Sequence, residues 1–324
     1  MPFSSVMTGR VERPRVSPKP SPSAAAGRVP LSVLAAITDD ELAGPILEVA
    51  RSLTDQRHPT LLHVLGIGMR TPEAAPLAAE MTAALEDSVN RKKQERVIRH
   101  RLGIDTGKPA NWPLEMAVGE IPDCIAEAAR RYRSELILVG LHHHNFLSGL
   151  IGNDTIGRLV SVAARPVMAV TETLTTRPQR IVVGVDFTPA SMRAAHIAAR
   201  IVADGGVIYL VFVRGETAGA TFGPAIDRIS EMRGIEASFE DLIRAMHARR
   251  GVTVMSATVV GNPVEHLERF CSRSGADLLA VGSKRLRLRD RLRIGSVAST
   301  LLKYASHSML IVPPMRTHAT IQES

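Results

Sequence analysis

The stretch of this chain best suited to chemistry is Val281-Gly282-Ser283-Lys284-Arg285, followed by Ile294-Gly295-Ser296-Val297. The spacing is Gly, twelve residues, then Gly-Ser at the start of a helical apolar pattern. A glycine leaving a strand lets backbone approach a ligand with no Cβ in the way. A Gly-Ser opening a helix presents unpaired N–H groups at the positive end of the helix dipole. A phosphate fits that place. Ser296 reads equally as a plain N-cap. Asp186 closes the apolar run Arg180 to Asp186 and serves either a ligand contact or a turn cap. Thr188-Pro189 then reads as the cap and first residue of the next helix.

Other chemically suggestive residues lead nowhere comparable. His142-His143-His144 are adjacent on one predicted loop, with no Cys or carboxylate spacing to complete a metal set, so a solvated loop is expected. Cys124 and Cys271 sit in predicted helices among Ile, Ala and Phe neighbours, which suits packing rather than nucleophilic catalysis. Neither a GxxxxGK[ST] loop nor a GxSxG elbow is present.

The elements that must position these residues emerge from an internal duplication. Val118-Gly119-Glu120-Ile121-Pro122 matches Val260-Gly261-Asn262-Pro263-Val264, and Glu135-Leu136-Ile137-Leu138-Val139-Gly140 matches Asp277-Leu278-Leu279-Ala280-Val281-Gly282. The offset is 142 residues and holds without a gap to Val170 and Val312. In the second half, strands are expected at Arg180–Asp186, Val207–Val213, Val252–Val260, Leu278–Gly282 and Met309–Val312. Helices are expected at Ala190–Ala203, Ile226–Ala248, Val264–Ser274 and Val297–Ala305. The first half repeats the order with strands Ser32–Ile37, Thr60–Val64, Leu114–Val118, Leu136–Gly140 and Val167–Val170, and a long helix over Leu77–Arg99 whose basic end is expected to face solvent.

Strands alternating with helices imply parallel βαβ units. The expected fold is therefore α/β: two tandem doubly wound domains, each a five-stranded parallel open sheet flanked by helices. Ligands of such sheets lie beyond the carboxyl ends of the strands, where the strand order reverses. The expected boundaries are a basic, Pro/Ser-rich disordered arm at 1–29, a first domain at 30–172, a linker at 173–179, a second domain at 180–315 and a tail at 316–324.

Composition supports this plan. Hydrophobic residues are 45% of the 324 and aromatics only 3%, so the core must be aliphatic, which suits parallel sheets covered on both faces. No window approaches 18 consecutive apolar residues, so no membrane span is expected. The prolines Pro14, Pro18, Pro20 and Pro22 and the lack of an apolar core argue against a signal peptide. Two cysteines in a chain of this length suggest a reducing compartment, and a cytoplasmic location is expected. The net charge of +8 is concentrated in the arm (+4) and in Lys284–Arg293 (+5), so the remainder is near neutral. Neither patch carries an aromatic platform or groove-reading motif, which weighs against nucleic acid.

With these residues in place the chain resembles the universal stress protein family. ATP-binding members carry Gly-x2-Gly-x9-Gly-Ser/Thr after the fourth strand, and here Gly282, Gly295 and Ser296 stand at three of those positions. Gly261-x-Pro263, Gly275-Ala276-Asp277-Leu278 and the closing apolar strand are similar too, and the resemblance spans about Val29 to Pro314. It implies a nucleoside contact at Asp186, adenine contact through the backbone of Val213, and ribose-phosphate contacts at Gly282, Gly295, Ser296 and Val297. Gly184, in the run ending at Asp186, and Lys284 are placed in the same cofactor-binding set. Arg285 replaces the family's middle glycine: either it blocks the site, or its guanidinium reaches over and pairs with phosphate.

The first half departs further. It keeps Gly140 but has His143, Asn153 and Asp154 at the next three positions, and the match to Asp186 falls near Ile37 or Thr38, with Asp39 off register. It is not expected to bind ATP in the family manner. The resemblance thus implies a stress-response regulator binding ATP or AMP in its second domain, with no metal beyond nucleotide-associated Mg. The alternative is a nucleotide-free scaffold acting through protein partners. The halves are expected to form an internal pseudo-dimer through their last strands near Val170 and Val312, and a homodimer is open. No general base or carboxylate pair is poised for a γ-phosphate, so hydrolysis is at most slow and no enzyme is expected. The glycine loop of related pyrophosphatases and the HIGH and KMSKS signatures of synthetases are absent.

Overall fold

The computed structural model describes residues 15–16, 31–37, 42–54, 59–66, 88–101, 112–141, 153–215, 225–248, 251–283, 286–288 and 291–315. The first half runs β2 (Val33–Ile37), α1 (Ala43–Thr54), β3 (Thr60–Gly66), α2 (Ser88–Arg101), β4 (Leu114–Gly119), α3 (Ile121–Arg131), β5 (Leu136–Gly140), α4 (Asn153–Ala163) and β6 (Val167–Val170). The second runs β7 (Arg180–Val185), α5 (Pro189–Ile201), β8 (Val207–Arg214), α6 (Ala225–Met246), β9 (Thr253–Val260), α7 (Pro263–Ser274), β10 (Leu278–Gly282), α8 (Ser296–Tyr304) and β13 (Ser308–Val312). Between β10 and α8 lie two short strands, β11 (Leu286–Leu288) and β12 (Arg291–Arg293), and β1 is Arg15–Val16 ahead of the first half.

Each half has the doubly wound order, β4-β3-β2-β5-β6 and β9-β8-β7-β10-β13, with every neighbouring pair parallel. The two sheets become one because β6 and β13 pair antiparallel, Met309 opposite Ala169 and Ile311 opposite Val167. The last strands do join the halves, as expected. Arg15–Val16 adds an antiparallel rung on the outer side of β9, and the rest of the 1–30 span lies outside the described residues.

Alternation along the strands builds a core on each face of the sheet. Val33, Ala35 and Ile37 of β2 join a cluster with α1, α5 and α6, while Leu34 and Ala36 join one with α3, α4, α7 and α8. In β10, Leu278 and Ala280 face the first cluster, and Leu279 and Val281 the second. Both clusters run through both halves, so the chain is near-continuously apolar in its central strands. In α6, Ile235, Phe239, Leu242 and Met246 are buried at spacings of three and four, the stripe a surface helix needs.

The long helix expected over Leu77–Arg99 is seen from Ser88 to Arg101; its first part lies outside the described residues. Lys92, Lys93 and Arg96 on it are exposed. The linker has a structural task that its composition does not reveal. Buried Arg177 donates to Ser52 O at 2.5 Å and Leu53 O at 3.1 Å, at the end of α1, and to Arg200 O at 3.2 Å, near the end of α5. One guanidinium therefore satisfies carbonyls at the negative ends of two helices, one from each half.

Candidate functional site

The second half brings β7, β8 and β10 to one carboxyl edge. The register Val281 to Gly184 sets Gly282 level with Val185, one residue before Asp186. The chain leaving β7 turns toward α5 and β8, while β10 lies on the other side, so this is the point where strand order reverses.

Asp186 is exposed, and its Oδ1 accepts from Thr188 N at 3.1 Å and Thr188 Oγ1 at 2.5 Å. That is a turn-capping use, one of the two open to it from sequence. Thr188 caps α5 and Pro189 is its first residue, as expected. Between Asp186 and Thr188, Phe187 takes φ 57°, a left-handed conformation that costs a bulky residue roughly 1–2 kcal/mol. Its ring is held by Phe212 at 5.4 Å and Phe239 at 5.2 Å, so two aromatic contacts, one from β8 and one from α6, fix the turn that carries Asp186.

Ser191 ties this turn together, and sequence reasoning passed it over. It is buried, its Oγ accepts from Asp186 N at 3.2 Å and donates to Thr188 O at 3.1 Å. Its place three residues after an N-cap Thr is the signal that points to it. Gly282 lies directly beneath: a Cβ there would stand 2.4 Å from Ser191 N and 2.7 Å from Ala190 C. Close passage of the first turn of α5 over β10 therefore demands this glycine, independently of any ligand. Next along the chain, buried Ser283 donates its N–H to Val312 O at 2.8 Å.

Asp186, Ser191 and Gly282 are thus brought together, and Gly184 is not. Gly184 sits within the sheet and faces the opposite side, where a Cβ would meet Leu267 Cδ1 of α7 at 2.9 Å. Val213 stands where β8 has run one residue past its last pair with β7, Phe212 beside Val185, while still pairing with Val259 of β9. Its backbone is therefore at the crevice, and its side chain packs against the α7–α8 face.

Gly295 is the N-cap of α8, extended at φ −57° and ψ 155°, and among the described residues no side-chain cap hydrogen bond is made there. Ser296 is the first helical residue and exposed; it is not the cap. Val297 follows, half-buried against the second core cluster. By contrast, Asn262 caps α7 through Val264 N at 2.9 Å, and Thr188 caps α5. A start without a side-chain cap keeps its donors and the positive dipole end available to an anion.

Lys284, Arg285 and His142-His143-His144 lie outside the described residues. The basic run that sequence treats as a loop pairs Leu286 with Arg293 and Leu288 with Arg291, a hairpin foreshadowed by its Leu/Arg alternation. It ends at buried Ile294, whose side chain lies against Gly157 of α4, so the entry to α8 rests on the first half.

Burial, then Asp123 and Glu127, pushes the Cys124 thiol up, and burial pushes up Cys271, so neither is a ready thiolate. Among the described residues no group of three His, Cys, Asp or Glu could hold a metal, and no helix is long and apolar enough to cross a membrane.

The fold has clear relatives. A universal stress protein from Archaeoglobus fulgidus DSM 4304 aligns over 87% of this chain and 98% of its own, at a TM-score of 0.60 and 14% identity. A putative universal stress protein from Pseudomonas aeruginosa UCBPP-PA14 aligns over 88% and 94%, at 0.50 and 19%. No curated protein matches the chain in sequence. The family model described as the universal stress protein family matches residues 32–171 and again 178–313. The chain belongs to the universal stress protein family and carries two of its domains in tandem.

Proposed function

We propose that the second domain binds ATP or AMP and that the protein is a stress-response regulator that works through this binding, without a catalytic centre of its own. The observation that carries the reading is the start of α8, where Gly295 caps the helix and, among the described residues, no side-chain cap hydrogen bond is made. In this reading the N–H groups of Ser296 and Val297 hold phosphate, Gly282 keeps the floor of the site low, and Val213 offers its backbone to the base. Asp186 contacts the nucleoside, with Gly184 supporting its strand. Lys284 and Arg285 follow Gly282 in sequence and supply positive charge beside the phosphates. Any Mg²⁺ would enter with the nucleotide, and a cytoplasmic location belongs to the same reading.

Calorimetric titration with ATP and AMP tests it. The wild type is expected to bind near one equivalent. Ser296→Asp is expected to lose binding and keep its melting temperature, because a carboxylate in the first turn favours the dipole but repels phosphate. No heat with either nucleotide would overturn the reading.

Two observations favour a second reading. Asp186 caps its own turn and Gly282 is demanded by α5, so both have uses without a ligand. The protein would then be a nucleotide-free scaffold acting through protein partners, with a homodimer one possible form.

A further inference from the structure

The antiparallel pairing of β6 with β13 sets the entry of one strand beside the exit of the other. Around that junction lies a cleft of about 540 Å³, remote from the start of α8 in the chain and lined by residues of both domains. Arg165, just before β6, enters it from the first domain, and Arg193 of α5 enters it from the second. Both are half-buried. Arg193 Nη1 donates to Pro313 O at 3.0 Å, a neutral acceptor.

The two carboxylates lining the cleft each have a partner other than Arg165 and Arg193, and for Glu127 one of these is Arg130 of the same lining, at 3.9 Å. Asp123 takes Arg158 Nη2 at 2.7 Å, and Glu127 lies 3.4 Å from Arg131. Among the described residues neither Arg165 nor Arg193 has an acidic partner. Burial lowers the Arg193 pKa and the neighbouring charge of Arg165 lowers it further, yet a guanidinium keeps its proton at neutral pH. Two cations from two domains therefore line one cleft, neither ion-paired among the described residues, and with Arg130 the lining carries three cations against the two carboxylates Asp123 and Glu127.

We propose that this cleft is a binding site for a phosphate-type dianion, free or as the monoester of a small molecule, gripped by Arg165 and Arg193 across the domain junction. Two negative charges match the two guanidiniums, and a tetrahedral oxyanion accepts from both planar forks. Val162, Ala163 and the largely exposed Met315 give the same cleft an apolar wall for the organic part of a monoester.

Thermal melts of the full chain in inorganic phosphate, against chloride at equal ionic strength, test the site. The wild type is expected to gain about 3 °C in phosphate, as ligand linkage gives for a protein of this size. Arg165→Gln and Arg193→Gln are expected to lose that gain, and Arg165→Gln to melt above wild type in chloride because the repulsion is gone. Ser296→Asp is expected to keep the gain, which separates this cleft from the start of α8. A larger gain with phenyl phosphate assigns the site to a monoester, and an equal gain assigns it to free phosphate. No gain in the wild type, or a gain that survives both arginine variants, would overturn the proposal.

Discussion

The two domains share nearly everything the sheet requires and differ where the sheet ends. Strand order is the same in both. Gly119 and Gly261 occupy matching positions at φ 149° and 142°, leading out of β4 and β9. After α3 and α7 the same wrap closes the helix: Ser134 N reaches Ala129 O at 2.9 Å, and Ala276 N reaches Cys271 O at 3.0 Å. The left-handed residue in that wrap is Arg133 in one domain and Gly275 in the other, at φ 51° and 60°. The carboxyl edges have parted. Gly282 lies under the backbone of α5, whereas a Cβ on Gly140 would meet Leu42 Cδ1 at 2.8 Å, a side-chain end that can move. The helix that follows starts Asn153-Asp154 in one domain and Gly295-Ser296 in the other. A duplicated chain thus holds its core geometry while its two carboxyl edges differ in sequence and packing.

Substitution at the matched glycines puts the largest strain on this comparison. Gly282→Ala is expected to cost about 3 kcal/mol in urea denaturation, because backbone cannot yield to the new methyl, and Gly140→Ala about 1 kcal/mol, because Leu42 can turn away. Equal costs would mean the two edges pack alike. Arg177→Ala comes next, with an expected loss of about 2 kcal/mol from buried carbonyls left unpaired. It strikes what the domains share, so the loss should appear in both rather than in one, readable by hydrogen exchange at the ends of α1 and α5. The smallest effect is at the helix wraps. Arg133→Gly is expected to stabilise by about 0.5 kcal/mol, since glycine takes the left-handed conformation without penalty. A loss on Arg133→Gly would show that the arginine side chain contributes more there than its backbone costs.

Much of the fold was legible because the 142-residue offset and the apolar runs over Leu278–Gly282 and Leu136–Gly140 state it twice. Arg180–Asp186 and Val297–Ala305 were placed within a residue or so of β7 and α8 for the same reason. The hairpin of Leu286–Leu288 with Arg291–Arg293 was missed, although its alternation of Leu and Arg was there to be seen. In the candidate site, the residue types were legible, and the turn-capping use of Asp186 was one of the two that the sequence left open. What the sequence did not show is that the first turn of α5 lies over Gly282, so that the glycine is required there whether or not a ligand binds.

The sequence by itself determined the duplication, the α/β alternation and the residues gathered at the carboxyl edge, since these follow from period and spacing along one chain. Tertiary structure alone decided that Arg177 joins two helix ends and that Ile294 seats the entry to α8 on α4 of the other domain. It also decided that Arg165 and Arg193 share a cleft. The physical reason is common to all three: each arrangement joins residues of the two domains, and these domains meet where β6 and β13 pair antiparallel.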